Sequence, residues 1–262
     1  MIPLRDSVRL TRWPLVTIAL VGANVIAYLL AIRHGGSIVD GPSSATIVAY
    51  GAIPYEFAHL GSHCALGAAG FSQAVLCSGQ RGVTGTVAPQ PASWQTAFTS
   101  MFVHKNVLAI VIAMAFLAVF GATLEDMLGR LRFLALYILG GLVALAVTVA
   151  VNPGSVTPTL GASGAVAAVL GGYILLHPRA GVLTLAPLRK RELPAWAALL
   201  LWVALEVVLG VAHVIAPDGS SAGVVASAQI GGFAFGLLTV RAFARRQTLS
   251  GPPRAAHGAA SE

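Results

Sequence analysis

Charged side chains are scarce in this 262-residue chain: they make up 10% of it, against roughly a quarter in soluble globular domains. Hydrophobic residues make up 56%, and mean hydropathy is +0.82. That balance excludes an ordinary soluble domain and points to several packed membrane spans in one domain. The charge that is present is mainly basic, for a formal net of +7. Its Lys and Arg residues are not interleaved with aromatics; they stand in short connections between apolar runs. The pattern speaks against a nucleic-acid partner and for a protein that lives in a lipid bilayer.

Cysteine is almost absent, Cys64 and Cys77 being the only two. Both fall in a loop expected on the oxidising side, where a disulfide would contribute roughly 3 kcal/mol. His59 and His63 lie close by, which keeps a metal site as the alternative, but no second Cys or His cluster stands at ligand spacing. Neither a metal nor any other cofactor is expected.

Apolar runs divide the chain into six expected spans. Residues 1–12 read as a polar tail whose Arg5, Arg9 and Arg12 place the N-terminus in the cytoplasm. The first span runs from about Trp13 to Ile32, with Pro14 in its first turn, where a missing amide donor costs nothing. No small-residue cleavage site follows, so it reads as a retained span rather than a signal peptide. Residues 33–97 form a long Gly- and Ser-rich loop on the opposite, extracytoplasmic side, with interfacial helical pieces between Ala49 and Leu60 and Trp94 as an anchor.

The second span covers about Val107 to Leu124, the third Phe133 to Val151, and the fourth ends near Leu176. A basic connection (Arg189, Lys190, Arg191) leads to a fifth span from Pro194 to about Ile215, and a sixth covers about Ala222 to Phe243. Only Arg33, Arg81 and Lys105 then fall outside. The membrane domain so defined is 13–246, and residues 247–262 read as a disordered cytoplasmic tail. Both termini are expected in the cytoplasm of a bacterial-type inner or plasma membrane.

The fourth run opens with Leu160-Gly161-Ala162-Ser163-Gly164. The serine is expected about one turn inside a membrane-length helix, where lipid offers no water to satisfy its hydroxyl. Small neighbours let other helices approach closely, so the stretch reads either as packing glue or as a buried nucleophile.

Four stretches, in order and at their spacing, resemble the rhomboid family of intramembrane serine proteases. They are Phe98-Thr99-Ser100-Met101-Phe102-Val103-His104, then Gly121 to Gly129 with Glu125, then Gly161 to Gly164, then Ala228-Gln229-Ile230-Gly231-Gly232-Phe233. The resemblance covers nearly the whole chain. It implies an all-α membrane protein, a six-transmembrane-helix bundle with a long extracytoplasmic loop after the first helix. It also implies acyl transfer by a serine–histidine dyad, with a sixth-span histidine taking the serine proton. Backbone amides near the serine, helped by a histidine and an asparagine on the second span, would hold the oxyanion. The fifth span and the outer loops would gate lateral entry of a substrate helix.

Residue by residue, the chain keeps part of that set. Ser163 matches the nucleophile, Gly161 opens the serine motif, and His104 matches the histidine ahead of the second span. The second histidine position is Ala109, the asparagine position is Ala113, and the dyad histidine position is Gln229. A serine hydroxyl attacks poorly unless a base of suitable pKa removes its proton, and a glutamine amide accepts a hydrogen bond without holding the proton. In serine hydrolases losing the base costs about 10⁶ in rate, and losing an oxyanion donor about 10²–10³. Glu206 and His213, seven apart on one face of the fifth span, are the intramembrane polar pair that offers a substitute base. Glu125 is expected to tie helix ends together through N-terminal amides rather than to do chemistry.

The leading expectation is therefore a pseudoprotease of rhomboid type that binds transmembrane segments of client proteins. The alternative is an active intramembrane serine endopeptidase working through Ser163 with a non-standard base. A small-solute transporter fits less well, because such a path wants several intramembrane charges and Glu206 is the one good candidate.

Overall fold

The computed structural model describes residues 2–33, 35–69, 72–80, 83, 91–186, 189–197, 199–200, 204 and 222–244. A strand β1 (Ile2–Asp6) precedes the first long helix α1 (Leu15–Arg33). The segment that follows holds two-residue strands β2 (Gly36–Ser37) and β3 (Gly41–Pro42), and short helices α2 (Ser44–Tyr50) and α3 (Pro54–Ala58). It continues as a hairpin, β4 (Cys64–Ala69) and β5 (Ser72–Cys77), and as α4 (Ser93–Thr99). Helix α5 (Val107–Phe116) passes through one π-helical turn (Leu117–Gly121) into α6 (Ala122–Leu128). Then come α7 (Arg130–Val151), α8 (Ser163–Leu176), a hairpin of β6 (Gly181–Ala186) and β7 (Arg189–Pro194), and α9 (Ala222–Phe243).

Among the described residues, four helical stretches are long and apolar enough to cross a membrane: Leu15–Arg33, Val107–Leu128, Arg130–Val151 and Gly223–Phe243. Their boundaries follow local chemistry. Asn106 starts α5 by accepting the Ala109 amide on its side-chain oxygen at 2.9 Å. Gly129, at φ 83°, separates α6 from α7 in a conformation that side chains with a Cβ avoid.

The helices meet through small residues, as expected where lipid supplies no hydrophobic push. A Cβ on Gly232 would collide with the Gly164 carbonyl, one on Gly236 with the Ala168 carbonyl, and one on Gly171 with the Phe233 carbonyl. So α8 and α9 touch backbone to backbone. On the α7 side, Gly140 faces Ala168 and Ala144 faces Gly164. The buried core around these contacts includes Leu117, Phe120, Leu124, Phe133, Tyr137 and Tyr173.

Carboxylates brace the end of the bundle away from Ser163. Glu125, 3% exposed, accepts the Val16 amide at 3.0 Å, the Thr17 amide at 2.7 Å and the Thr17 hydroxyl at 2.8 Å. It thereby neutralises the orphan donors at the start of α1, as the sequence suggests. Asp126 accepts the Thr11 amide and hydroxyl, both at 2.8 Å. Asp6 accepts the Thr123 hydroxyl at 2.6 Å and the Tyr173 hydroxyl at 3.0 Å.

Three expectations need correction. The purely helical reading omits small antiparallel sheets: β1-β6-β7, β2-β3 and β4-β5. The stretch read as an N-terminal tail pairs with β6, Ile2 opposite Leu185 and Asp6 opposite Val182, and the basic connection forms β7. Such strands are too short for a period-2 pattern to stand out, and β1 finds its partner far along the chain.

Second, α8 is not of membrane length and Ser163 is its first residue, not one turn inside it. Its 14 residues rise about 21 Å, short of a hydrocarbon core of about 30 Å. Gly161 sets that start, because its φ of 88° cannot continue a right-handed helix. Since Gly164 lies level with Ala144, and α7 runs on to Val151, Ser163 sits about 10 Å below the end of α7.

Third, the second and third long helices extend further toward each other than Leu124 and Phe133. Most of the expected fifth span, including Glu206 and His213, lies outside the described residues.

Candidate functional site

Ser163, Gln229, His104, Gly161, Ala109 and Ala113 all line one cavity of about 300 Å³. Four elements supply them: the turn before α5, α5 itself, the first turn of α8, and α9. Gln229 is held beside the start of α8 because its neighbours on α9, Ala228 and Gly232, both lie against Gly164. The sequence therefore brings together from four places the residues that its motifs single out.

Part of the lining is polar. Ser163 opens α8, so its hydroxyl stands next to the amides that no helix can pair internally, at the positive end of the helix dipole. Gly161 packs against the His104 ring, and its amide donates to the Ser100 carbonyl at 2.8 Å.

His104 is 2% exposed and both of its ring nitrogens are engaged. Nδ1 lies 3.3 Å from the Phe102 carbonyl, and Nε2 accepts the Ala162 amide at 3.4 Å. That pattern assigns the proton to Nδ1. Burial pushes the imidazole pKa down to about 4, against the weaker opposing pull of the Phe102 carbonyl. At neutral pH His104 is therefore an uncharged ring that buttresses the serine turn. Among the described residues no histidine is hydrogen-bonded to Ser163. His177 is at the far end of α8, about 20 Å away.

Much of the remaining lining is apolar. Ile112 and Phe116 join Ala109 and Ala113 on α5, Val166 and Leu170 come from α8, and Val225 from α9. Sequence motifs miss these five, although helical spacing marks them. Residues 109, 112, 113 and 116 share one face, 166 and 170 follow Ser163 at three and seven, and 225 precedes Gln229 by four. The two alanines give that wall its width: an imidazole and a carboxamide would each project into the space that their methyl groups leave.

Cys64 and Cys77, on the hairpin between α1 and α5, are disulfide-bonded and fully buried. Among the described residues no group of three or more metal-ligating side chains comes together.

A family model described as "Rhomboid domain" matches residues 91–246. One similar protein, Presenilin-associated rhomboid-like protein A, mitochondrial, from Danio rerio, is 36% identical over 83 residues. The match covers 31% of this chain and spans 22% of that relative's length.

Proposed function

This chain belongs to the rhomboid family, and on that premise we propose that it is a catalytically impaired member that binds transmembrane segments of client proteins. It is a multi-pass integral membrane protein. The finer topology carried by the proposal is six spans over 13–246, with residues 33–97 on the extracytoplasmic side. In it residues 1–12 and 247–262 lie in the cytoplasm of a bacterial-type membrane.

The observation that carries the reading is the residue at position 229. Gln229 shares the cavity wall with Ser163, and its carboxamide has no basic site at neutral pH. A base must take the hydroxyl proton as the nucleophile attacks, and its pKa must lie near the working pH. His104 is a poor stand-in, with a pKa near 4 and both nitrogens occupied. Ala109 and Ala113 offer no hydrogen bond to an oxyanion, which leaves the first amides of α8 as donors. Lateral recognition needs none of those groups. It needs the helical frame and an apolar recess, and both are present.

The second reading, an active endopeptidase cleaving transmembrane substrates through Ser163, draws support from the serine's retention at a helix N-terminus. Glu206 and His213 would be its candidate base pair. The two readings separate on one experiment. Full-length protein in liposomes is treated with a fluorophosphonate probe, beside Ser163→Ala. Equal, background labelling of both is expected. Serine-dependent labelling, or cleavage of a model transmembrane substrate that Ser163→Ala abolishes, overturns the impaired reading.

A further inference from the structure

We propose that the disulfide-closed hairpin between α1 and α5 positions the turn that carries Ser163, through the short backbone segment 51–56. The stretch joining α7 to α8, residues 152–162, has no helix or long strand to hold it, and it contains Pro153, Gly154, Pro158 and Gly161. Its backbone groups find partners elsewhere. The Thr159 amide donates to the Ala52 carbonyl at 2.7 Å, and the Ala52 amide donates back to the Thr159 carbonyl at 3.1 Å. The Tyr55 amide donates to the Ser155 carbonyl at 3.0 Å. Pro158 and Leu160 lie against Gly51, where any Cβ would press on both side chains.

The other face of segment 51–56 is fastened to the disulfide. Cys64 and Cys77 are direct cross-strand partners, and their side chains are buried with Val48 and Ile53. Val156, from the serine-bearing stretch, packs against the same cluster. Glu56, 5% exposed, accepts the Cys64 amide at 2.6 Å, which joins α3 to β4. A path of short contacts thus runs from the sulfurs through Ile53 and Ala52 to Thr159. Two residues beyond Thr159 is Gly161, and then Ala162, whose amide meets His104. A disulfide removes freedom from the chain it closes. Here the restraint passes to a neighbouring stretch that has little regular structure of its own.

This inference rests on Ser163 being the centre of the site. The measurement is hydrogen exchange on the full chain in nanodiscs. With Cys64→Ala and Cys77→Ala together, exchange at the Thr159 and Gly161 amides is expected to quicken at least about tenfold, while α7 and the β1-β6-β7 sheet keep wild-type rates. Val156→Ala, which leaves the disulfide intact, is expected to quicken the same two amides. Combining all three changes should add little, the mark of a shared path. Wild-type protection at Thr159 and Gly161 after loss of the disulfide overturns the proposal. So does full additivity, or a uniform rise across the protein. Cross-linking to a client segment reads the proposed function separately, so the loss of one reading does not erase the other.

Discussion

The two ends of this helix bundle treat polar side chains in opposite ways. At the Glu125 end each carboxylate has its donors: Glu125 holds the start of α1, Asp126 holds Thr11, and Asp6 holds Thr123 and Tyr173. At the Ser163 end, the cavity wall has alanine at 109 and 113 and an amide at 229. An unpaired polar group inside a membrane bundle is costly, whereas a missing catalytic group leaves only a void. The carboxylates that brace the frame are therefore the ones with most to lose by substitution. On the proposed reading, positions 109, 113 and 229 are the ones whose change costs chemistry rather than folding.

The largest expected effect sharpens that contrast at the cavity. Gln229→His combined with Ala113→Asn should raise fluorophosphonate labelling of Ser163 by about 10²-fold or more, the scale of a positioned general base. No gain would mean that the cavity differs from a hydrolase in more than its side chains. Next in size comes the opposite end. Glu125→Ala leaves two buried donors and one half-buried donor without an acceptor and should cost about 3 kcal/mol, read by denaturant unfolding in mixed micelles. A cost near zero would break the comparison.

The last effect is a pH dependence, absent at neutral pH and approaching its ceiling only near pH 4. The His104 pKa falls from an ordinary 6.5 to about 4 on burial, so the unfolded chain binds the proton first as pH drops. Its contribution is intact above pH 6.5 and is lost progressively as pH falls toward 4, by at most on the order of 3 kcal/mol. His104→Asn should flatten the stability profile over that window, and an unchanged slope would assign the loss to other groups.

How much of this is legible in the sequence depends on the length scale of the signal. Long apolar runs announce α1, α7 and α9 because twenty such residues have few other places to go. The departures at Ala109, Ala113 and Gln229 are legible by spacing, and the fold gathers them into one cavity. The start of α8 is not, because an apolar run gives no warning that a single left-handed Gly161 will delay the helix. Nor is the pairing of β1 with β6, which joins the chain's first residues to a hairpin some 180 positions later. Phe116 and Leu170 belong to the cavity through helical geometry, not through any letter pattern. Glu206 and His213 lie in the part of the chain outside the description.

Glycine at 171, 232 and 236 leaves nothing between two polypeptide backbones, and the consequence reaches beyond packing. Without side chains in between, the separation of positions 163 and 229 is set by main-chain contact between α8 and α9. On the proposed reading, a socket for a proton acceptor persists at position 229. Because glutamine and histidine codons differ only in their third base, refilling that socket is a single-nucleotide event.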